Sequence, residues 1–465
     1  MNMIRLNTFK KTLLADTLTP VSIYLRLRDR YAKSILLESS DYHGQDNSFS
    51  YICCDPIASF VVKGSQLSIT LPNGEVETRD HLGKVIEELE DFRNSFSVED
   101  NSNGHISNGL FGYMAYQAVE FYEDIHLTQK GEEIPDVYYS LFRYVIAVDH
   151  FKNQMHIYEH VPENTESNLN PFISVMRNGS FPSYGFKIVS EEKSNFTDEG
   201  FVDVVKGCIE HCKRGDVFQI VPSRRFENEF RGDDFNVYRA LRSVNPSPYL
   251  FYFDFGSFKI FGSSPEAQIV IKNDVASIFP IAGTFKRTGD DQADKELAEK
   301  LIGDQKENSE HVMLVDLARN DLSINSDQVV VDVFKEIQFY SHVIHLVSKV
   351  TGKLRKNINP LQLVADTFPA GTLSGAPKHN AMKLIDSFET TPRLFYGGAI
   401  GFMGFNQDFN HAIMIRSFLS RKNTLVYQAG AGVVSQSIPE SELNEVNNKL
   451  MALRSALKLA ETIQD

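Results

Sequence analysis

The grouping of strand-like segments constrains this chain more than any other feature. Short apolar, β-branched and aromatic runs come in clusters: DVFQIVPSRRF, YLFYFDF, FKIFGSS and AQIVIK within 216–272, and GGAIGFMGF, HAIMIRSFLS and TLVYQAGAGVV within 397–434. Helical periodicity appears between the clusters rather than after every strand, at 81–93, from about 197, at 292–320, at 377–388 and from 439 onward. Strict strand–helix alternation would build a parallel sheet, whereas grouped strands joined by turns build antiparallel ones. The pattern therefore predicts an α+β fold with largely antiparallel sheets. In the first part, 34–39 (SILLES), 57–64 (IASFVVKG) and 136–150 read as strands. The segment 106–123 is expected to run from a glycine-containing start into an aromatic-rich helix, and 41–50 is polar. Pro, Asn, Ser and Gly concentrate at 162–185, which reads as a linker. A chain of 465 residues exceeds what one core usually spans, so two regions are expected, 1–185 and 186–465.

The stretch 306–321, KENSEHVMLVDLARND, has no Gly or Pro and is nearly all apolar from Val312 to Ala318, which predicts a buried helix. Glu307 and Glu310 at its start share one face, where like charges repel unless something positive lies between them. Glu442 and Glu445 repeat the spacing in PESELNEVNNK. Four carboxylates on two helices can hold a hard cation through oxygen ligands. Two solvated helix faces explain either pair equally well.

Other residues stand out by being polar in apolar company. Gln219 shares a strand face with Val217 and Val221, so its amide either finds partners in the core or lines a site. His345 shares a face with Val343 and Val347, as a structural histidine or an acid–base group. Glu266 closes the loop GSSPE, as a loop acid or a cleft carboxylate of raised pKa. Gly430-Ala431-Gly432 and Gly283-Thr284 follow strands, as tight turns or as backbone aimed at an anion. GTLSGAPK lacks the ending of a nucleotide-binding P-loop. Arg416 lies in an apolar strand and requires a carboxylate from the protein or from a ligand. Together these point to a magnesium-dependent enzyme acting on a small carboxylate, without naming the reaction.

Acidic residues outnumber basic ones 61 to 47, a net charge of −14, which disfavours a nucleic-acid partner. Four cysteines form no zinc or disulfide pattern: Cys208 and Cys212 fit the apolar face of a helix, and Cys53 and Cys54 point to opposite faces of a strand. The start, MNMIRLNTFKK, lacks a signal-peptide core, and no run reaches membrane-spanning length, so a cytoplasmic location is expected.

In order, DVFQIVPSRRF, FGSSPE, PIAGT, ENSEHVMLVDLARNDL, YSHVIHLVS, FPAGTLSGAPK, YGGAIG, AIMIRS and QAGAGVV…PESELNEVNNK resemble the chorismate-utilising enzymes. The likeness is dense over 195–455 and thinner before it. Three positions resemble the anthranilate synthase large subunits within that family. Gln219 stands where isochorismate and salicylate synthases carry a water-activating lysine. Ala282 stands where aminodeoxychorismate synthases carry a nucleophilic lysine. LLES at 36–39 with NPSPY at 245–249 resembles the pair of segments that bind the inhibitor tryptophan. PIAGTFKRTG departs from the family's usual PIAGTRPRG, with Phe285 and Lys286 in place of Arg-Pro.

The resemblance implies two orthogonal, largely antiparallel sheets packed as a sandwich with helices outside. It implies that Glu310 and Glu445 bind Mg²⁺, supported by Glu307 and Glu442, and that Gly283 and Thr284 contact the ring region of chorismate. Tyr396, Arg416 and the amides of Gly430, Ala431 and Gly432 would receive the enolpyruvyl end, with Thr372 nearby. Lys449 would either contact substrate or pair with Glu445 one helical turn away. Glu266 would protonate the departing hydroxyl, His345 would assist pyruvate elimination, and Ser39, Pro248, Tyr249 and Leu250 would bind tryptophan. With no G-x-C-x-G nucleophile motif, the chain is expected to draw ammonia from a separate glutamine amidotransferase subunit, in a heterotetramer. A folate-pathway aminodeoxychorismate synthase and a non-catalytic tryptophan sensor are the alternatives.

Overall fold

Two long strands, Phe49–Lys63 and Val137–Asp149, organise the molecule because each belongs to two sheets. The computed structural model describes residues 3–39, 49–98, 105–131, 133–339, 343–356 and 358–463, without the side chains of 282, 284, 286 and 306. The two long strands pair with each other antiparallel along their whole length. The first half of Phe49–Lys63 takes Ile35–Glu38 as its other neighbour, and the second half takes Gln66–Thr70. Val137–Asp149 likewise pairs first with Leu110–Met114 and then with Gln154–Pro162. The change of sheet coincides with a register slip between Pro56 and Ala58, beside Asp55 at φ +61°. Bulges of this kind bend a strand and let it turn a sandwich corner.

From the shared strands the first sheet continues through Ile35–Glu38, Tyr249–Asp254, Lys259–Ser264, Ser417–Arg421, Thr424–Gly430 and Ser223–Gly232. The second continues through Leu110–Met114, Ala399–Met403, Phe409–Ile413, Ala267–Lys272, Val275–Ile278, Val343–Leu354 and Ser326–Phe339. Pairing is antiparallel throughout these runs. The fold is thus α+β, two largely antiparallel sheets packed as an orthogonal sandwich with helices outside, as the resemblance implies. Both sheets draw strands from either side of residue 185, so that division partitions the chain and not the core.

Alternation of side chains along the strands explains the layers. Ile35, Cys53, Phe111, Tyr113, Phe251, Ile260, Ile400 and Leu419 fill the space between the sheets. Cys54, on the opposite face of its strand from Cys53, joins the outer layer under helices Pro20–Leu27, Asp198–Arg214, Phe235–Val244 and Pro439–Ala460. Helices Val85–Asn94, Gln305–Ser323 and Pro360–Thr367 cover the second sheet.

Four local expectations change. Segment 106–123 is a strand, Leu110–Met114, followed by a 3₁₀ turn, Tyr116–Phe121, because its aromatics are needed in the sheet. Within 162–185 lies a helix, Leu169–Asn178, that buries Leu169, Phe172, Ile173 and Met176 at helical spacing. The single helix expected at 292–320 is two, Asp291–Gly303 and Gln305–Ser323, broken at Asp304. Asp304 ends the first and caps the second, its side chain accepting the Glu307 N–H over 3.0 Å. That second helix is also not buried all round: Leu314, Val315 and Ala318 face the sheet, while Val312 is 41% exposed.

Candidate active site

Acids of the two helices come close enough for their charges to interact. Glu310, one turn into Gln305–Ser323, is pushed above the usual carboxylate range by burial and then by the charges of Glu307 and Glu445. Glu445 comes from the other acidic helix, Pro439–Ala460, so carboxylates from helices over a hundred residues apart in sequence sense one another. Two groups offset the repulsion. Gln219 donates its Nε2–H to Glu310 Oε1 over 3.1 Å, and Lys449 pairs with Glu445 at 2.8 Å. Lys449 also donates to the Gly430 carbonyl over 2.9 Å, so the helical ion pair is present and is tied to the glycine segment. Glu442 is buried, 2% exposed, one turn before Glu445. As they stand, no three His, Cys, Asp or Glu side chains among the described residues converge into a metal cage. The donor set still suits a hard divalent cation: all-oxygen ligands, with a carboxylate held under the repulsion of two others.

The glycine segment closes over this group. Gly432 packs against the Gln219 amide so tightly that a Cβ would lie 2.6 Å from Nε2 and 3.5 Å from Glu310 Oε1. Gly430 lies against the Tyr396 hydroxyl, and Ala431 N–H goes to the Pro222 carbonyl over 3.2 Å. One of the three expected anion-binding amides, that of Ala431, is therefore already used, because the segment continues the pairing of Thr424–Gly430 with Ser223–Gly232.

Facing the acids is a second cluster. Glu266 accepts the Thr372 hydroxyl proton at Oε1 over 3.1 Å. Burial pushes its carboxyl up to about 7, against the Thr372 bond and the charges of Lys449 and Arg416. Arg416 has φ +49° and forms no ion pair with a described carboxylate; burial lowers its pKa, and Glu266 is the acid whose charge reaches it. His345 is 2% exposed and held down to about 4 by burial, with the Arg416 charge adding to the effect. Its Nδ1 lies 3.0 Å from the Gly283 carbonyl. A carbonyl only accepts, so Nδ1 carries the proton and the neutral ring keeps Nε2 unprotonated. Gly283 supplies that carbonyl from a bulge at φ +67°, opposite the strand carrying His345, where Thr284 is the register partner of His345.

Ser39 follows Ile35–Glu38, whose Glu38 pairs with Leu250, so the segments at 39 and 248–250 lie side by side on the first sheet. Beneath them Glu38 is buried and accepts bonds from the Tyr238 hydroxyl at 2.7 Å and Arg242 Nε at 2.9 Å. This network, and the pair Glu389 and Arg393 behind Tyr396, go unnoticed in the sequence reading. Opposite charges four apart in ETTPR were the available signal for the second.

The chain matches the family model of the chorismate binding enzymes over residues 34–455. It is 37% identical over 474 residues to anthranilate synthase component 1 of Aquifex aeolicus, covering 97% of this chain and 95% of that protein. It is 36% identical to the component 1 protein of Thermus thermophilus over 470 residues, 99% of each. The crystal structure of anthranilate synthase component I from Streptococcus pneumoniae superposes with a TM-score of 0.79 at 30% identity, covering 95% of this chain and 99% of that one.

Proposed function

The chain belongs to the chorismate binding enzymes, among the anthranilate synthase component 1 proteins, and on that premise we propose that it converts chorismate and ammonia to anthranilate and pyruvate. That it is an enzyme acting on chorismate follows from the family; the nucleophile and product are the reading argued next. The observation that carries it is the Gln219–Glu310 hydrogen bond. The side chain facing the acids is an amide, which cannot take a proton from water near neutral pH. Ammonia attacks without prior deprotonation, so an amide at this position suits it.

Glu310 and Glu445 would hold Mg²⁺, with Glu307 and Glu442 supporting them; when bound, the ion neutralises the ring carboxylate of the substrate. Arg416, which pairs with no described carboxylate, would receive the enolpyruvyl carboxylate beside the Tyr396 hydroxyl and the Gly432 segment. Ammonia adds at ring carbon 2 as the carbon 4 hydroxyl leaves. Glu266, protonated in part near neutrality, gives that hydroxyl its proton, so it departs as water. His345 Nε2 then takes the proton from carbon 2 while the bond from carbon 3 to the enolpyruvyl oxygen breaks. The enol becomes pyruvate and the ring becomes aromatic.

A separate glutaminase would supply the ammonia. All four cysteines are buried, and burial raises every thiol pKa, so none is suited to glutamine hydrolysis. The adjacent segments at Ser39 and Tyr249 support tryptophan as the feedback ligand. Chorismate, Mg²⁺ and an ammonium salt should yield fluorescent anthranilate with the chain alone; accumulation of 4-amino-4-deoxychorismate would assign the folate-type reaction instead.

A further inference from the structure

We propose that the buried pair Arg393–Glu389 is a positioning unit that fixes Gln219, Thr372 and Tyr396 relative to one another, an inference that rests on the reading of the site given above. The two side chains are 2% and 4% exposed and 2.6 Å apart. Arg393 Nη2 also donates to the Val221 carbonyl over 2.6 Å, two residues beyond Gln219. Its Nη1 donates to the Leu373 carbonyl over 2.7 Å, next to Thr372. The guanidinium lies over the rings of Tyr396 and Tyr116, at 5.6 and 4.9 Å from their centroids. The Arg393 carbonyl accepts the Tyr396 N–H over 3.0 Å. Glu389 in turn receives the Ser223 N–H at 2.9 Å and its hydroxyl at 2.6 Å, and Ser223 is the register partner of Gly430. One ion pair thereby joins three segments that each bring a residue to the site, and through Ser223 it reaches the strand that ends at Gly430.

Stability alone does not account for such a pair. A buried ion pair is often no more stabilising than apolar residues of the same volume. What a guanidinium adds is direction, since its planar fork holds two carbonyls and a carboxylate at fixed angles, which an ammonium cannot. Its own hydrogen bonds reach neither acidic helix, and only Gln219 connects it to Glu310, so loosening it should disturb the substrate side of the site more than the cation side.

The test compares Arg393→Lys and Glu389→Gln with wild type for kcat and KM with chorismate and ammonium, the pH profile of kcat/KM, and Mn²⁺ binding by calorimetry. The expected result is a roughly hundred-fold fall in kcat, the usual cost of about 1 Å of misplacement. Mn²⁺ affinity should fall by no more than about tenfold, the worth of the one Gln219–Glu310 bond, and the alkaline limb of the profile should move up as Thr372 loosens from Glu266. If one variant fails to fold, the other decides. Folded variants with wild-type kcat and an unmoved limb would overturn the inference, as would a loss of Mn²⁺ binding that parallels the loss of kcat. With wild type active, such a result counts against this inference alone and leaves the assigned reaction standing.

Discussion

The Thr372 hydroxyl donates to Glu266 Oε1 over 3.1 Å, linking the short helix Gly371–Ser374 to the carboxyl that sits between Lys449 and Arg416. A donor to a carboxylate favours its charged form, so this bond works against the burial that pushes Glu266 up to about 7. Thr372→Val should raise the Glu266 pKa further. The working form is the protonated acid, and activity is lost as pH rises through that pKa. The alkaline limb of kcat/KM should therefore move to higher pH in the variant; a limb that stays put or moves down would remove Glu266 from the acid role.

Burial and its neighbours Glu307 and Glu445 disfavour the charged form of Glu310. Glu310→Gln should abolish Mg²⁺-dependent turnover while leaving the metal-free fold at least as stable as wild type. The substitution removes an acid whose charged form burial, Glu307 and Glu445 all disfavour. Thermal unfolding without metal and Mn²⁺ calorimetry check both halves. Retained turnover would discredit the ligand assignment.

Two glycines separate geometry from stability. At Gly432 a Cβ would press on the far end of the Gln219 side chain, which can swing away. Gly432→Ala should cost roughly tenfold in kcat, the worth of one hydrogen bond of about 1.4 kcal/mol, with little change in unfolding temperature. At Gly283 the backbone has φ +67° and a Cβ would meet Leu301 Cδ1 at 2.5 Å. Gly283→Ala should instead destabilise the fold by about 1–3 kcal/mol, read by denaturant unfolding.

The chain has no tryptophan residue, so indole emission reports on ligand alone. Titrating free tryptophan with the protein should shift that emission saturably, and Ser39→Ala should weaken the response. Identical curves for wild type and variant would remove the regulatory reading.

Much of this architecture was legible because it is local. Strand alternation separated Cys53 from Cys54 correctly, and i,i+3 spacing marked both acid pairs. What escaped was non-local or masked by composition. The passage of Phe49–Lys63 and Val137–Asp149 through both sheets depends on which strands pair, and pairing leaves no local mark. The helix Leu169–Asn178 hid behind Asn, Pro and Ser, although its apolar residues keep helical spacing. The commitment of Ala431 N–H to Pro222 follows from the sheet register rather than from the glycines themselves. Glu389 and Arg393 became meaningful only once the segments they join were adjacent.

The reaction is tested most directly by the origin of the atom added to the ring. Chorismate, Mg²⁺ and ¹⁵N-ammonium are incubated with the purified chain in ¹⁸O-water, and the aromatic product is weighed by mass spectrometry. The account predicts anthranilate carrying one ¹⁵N and no ¹⁸O, with pyruvate released in equal amount. A hydroxylated product carrying ¹⁸O, or nitrogen retained at carbon 4 without pyruvate, would contradict it.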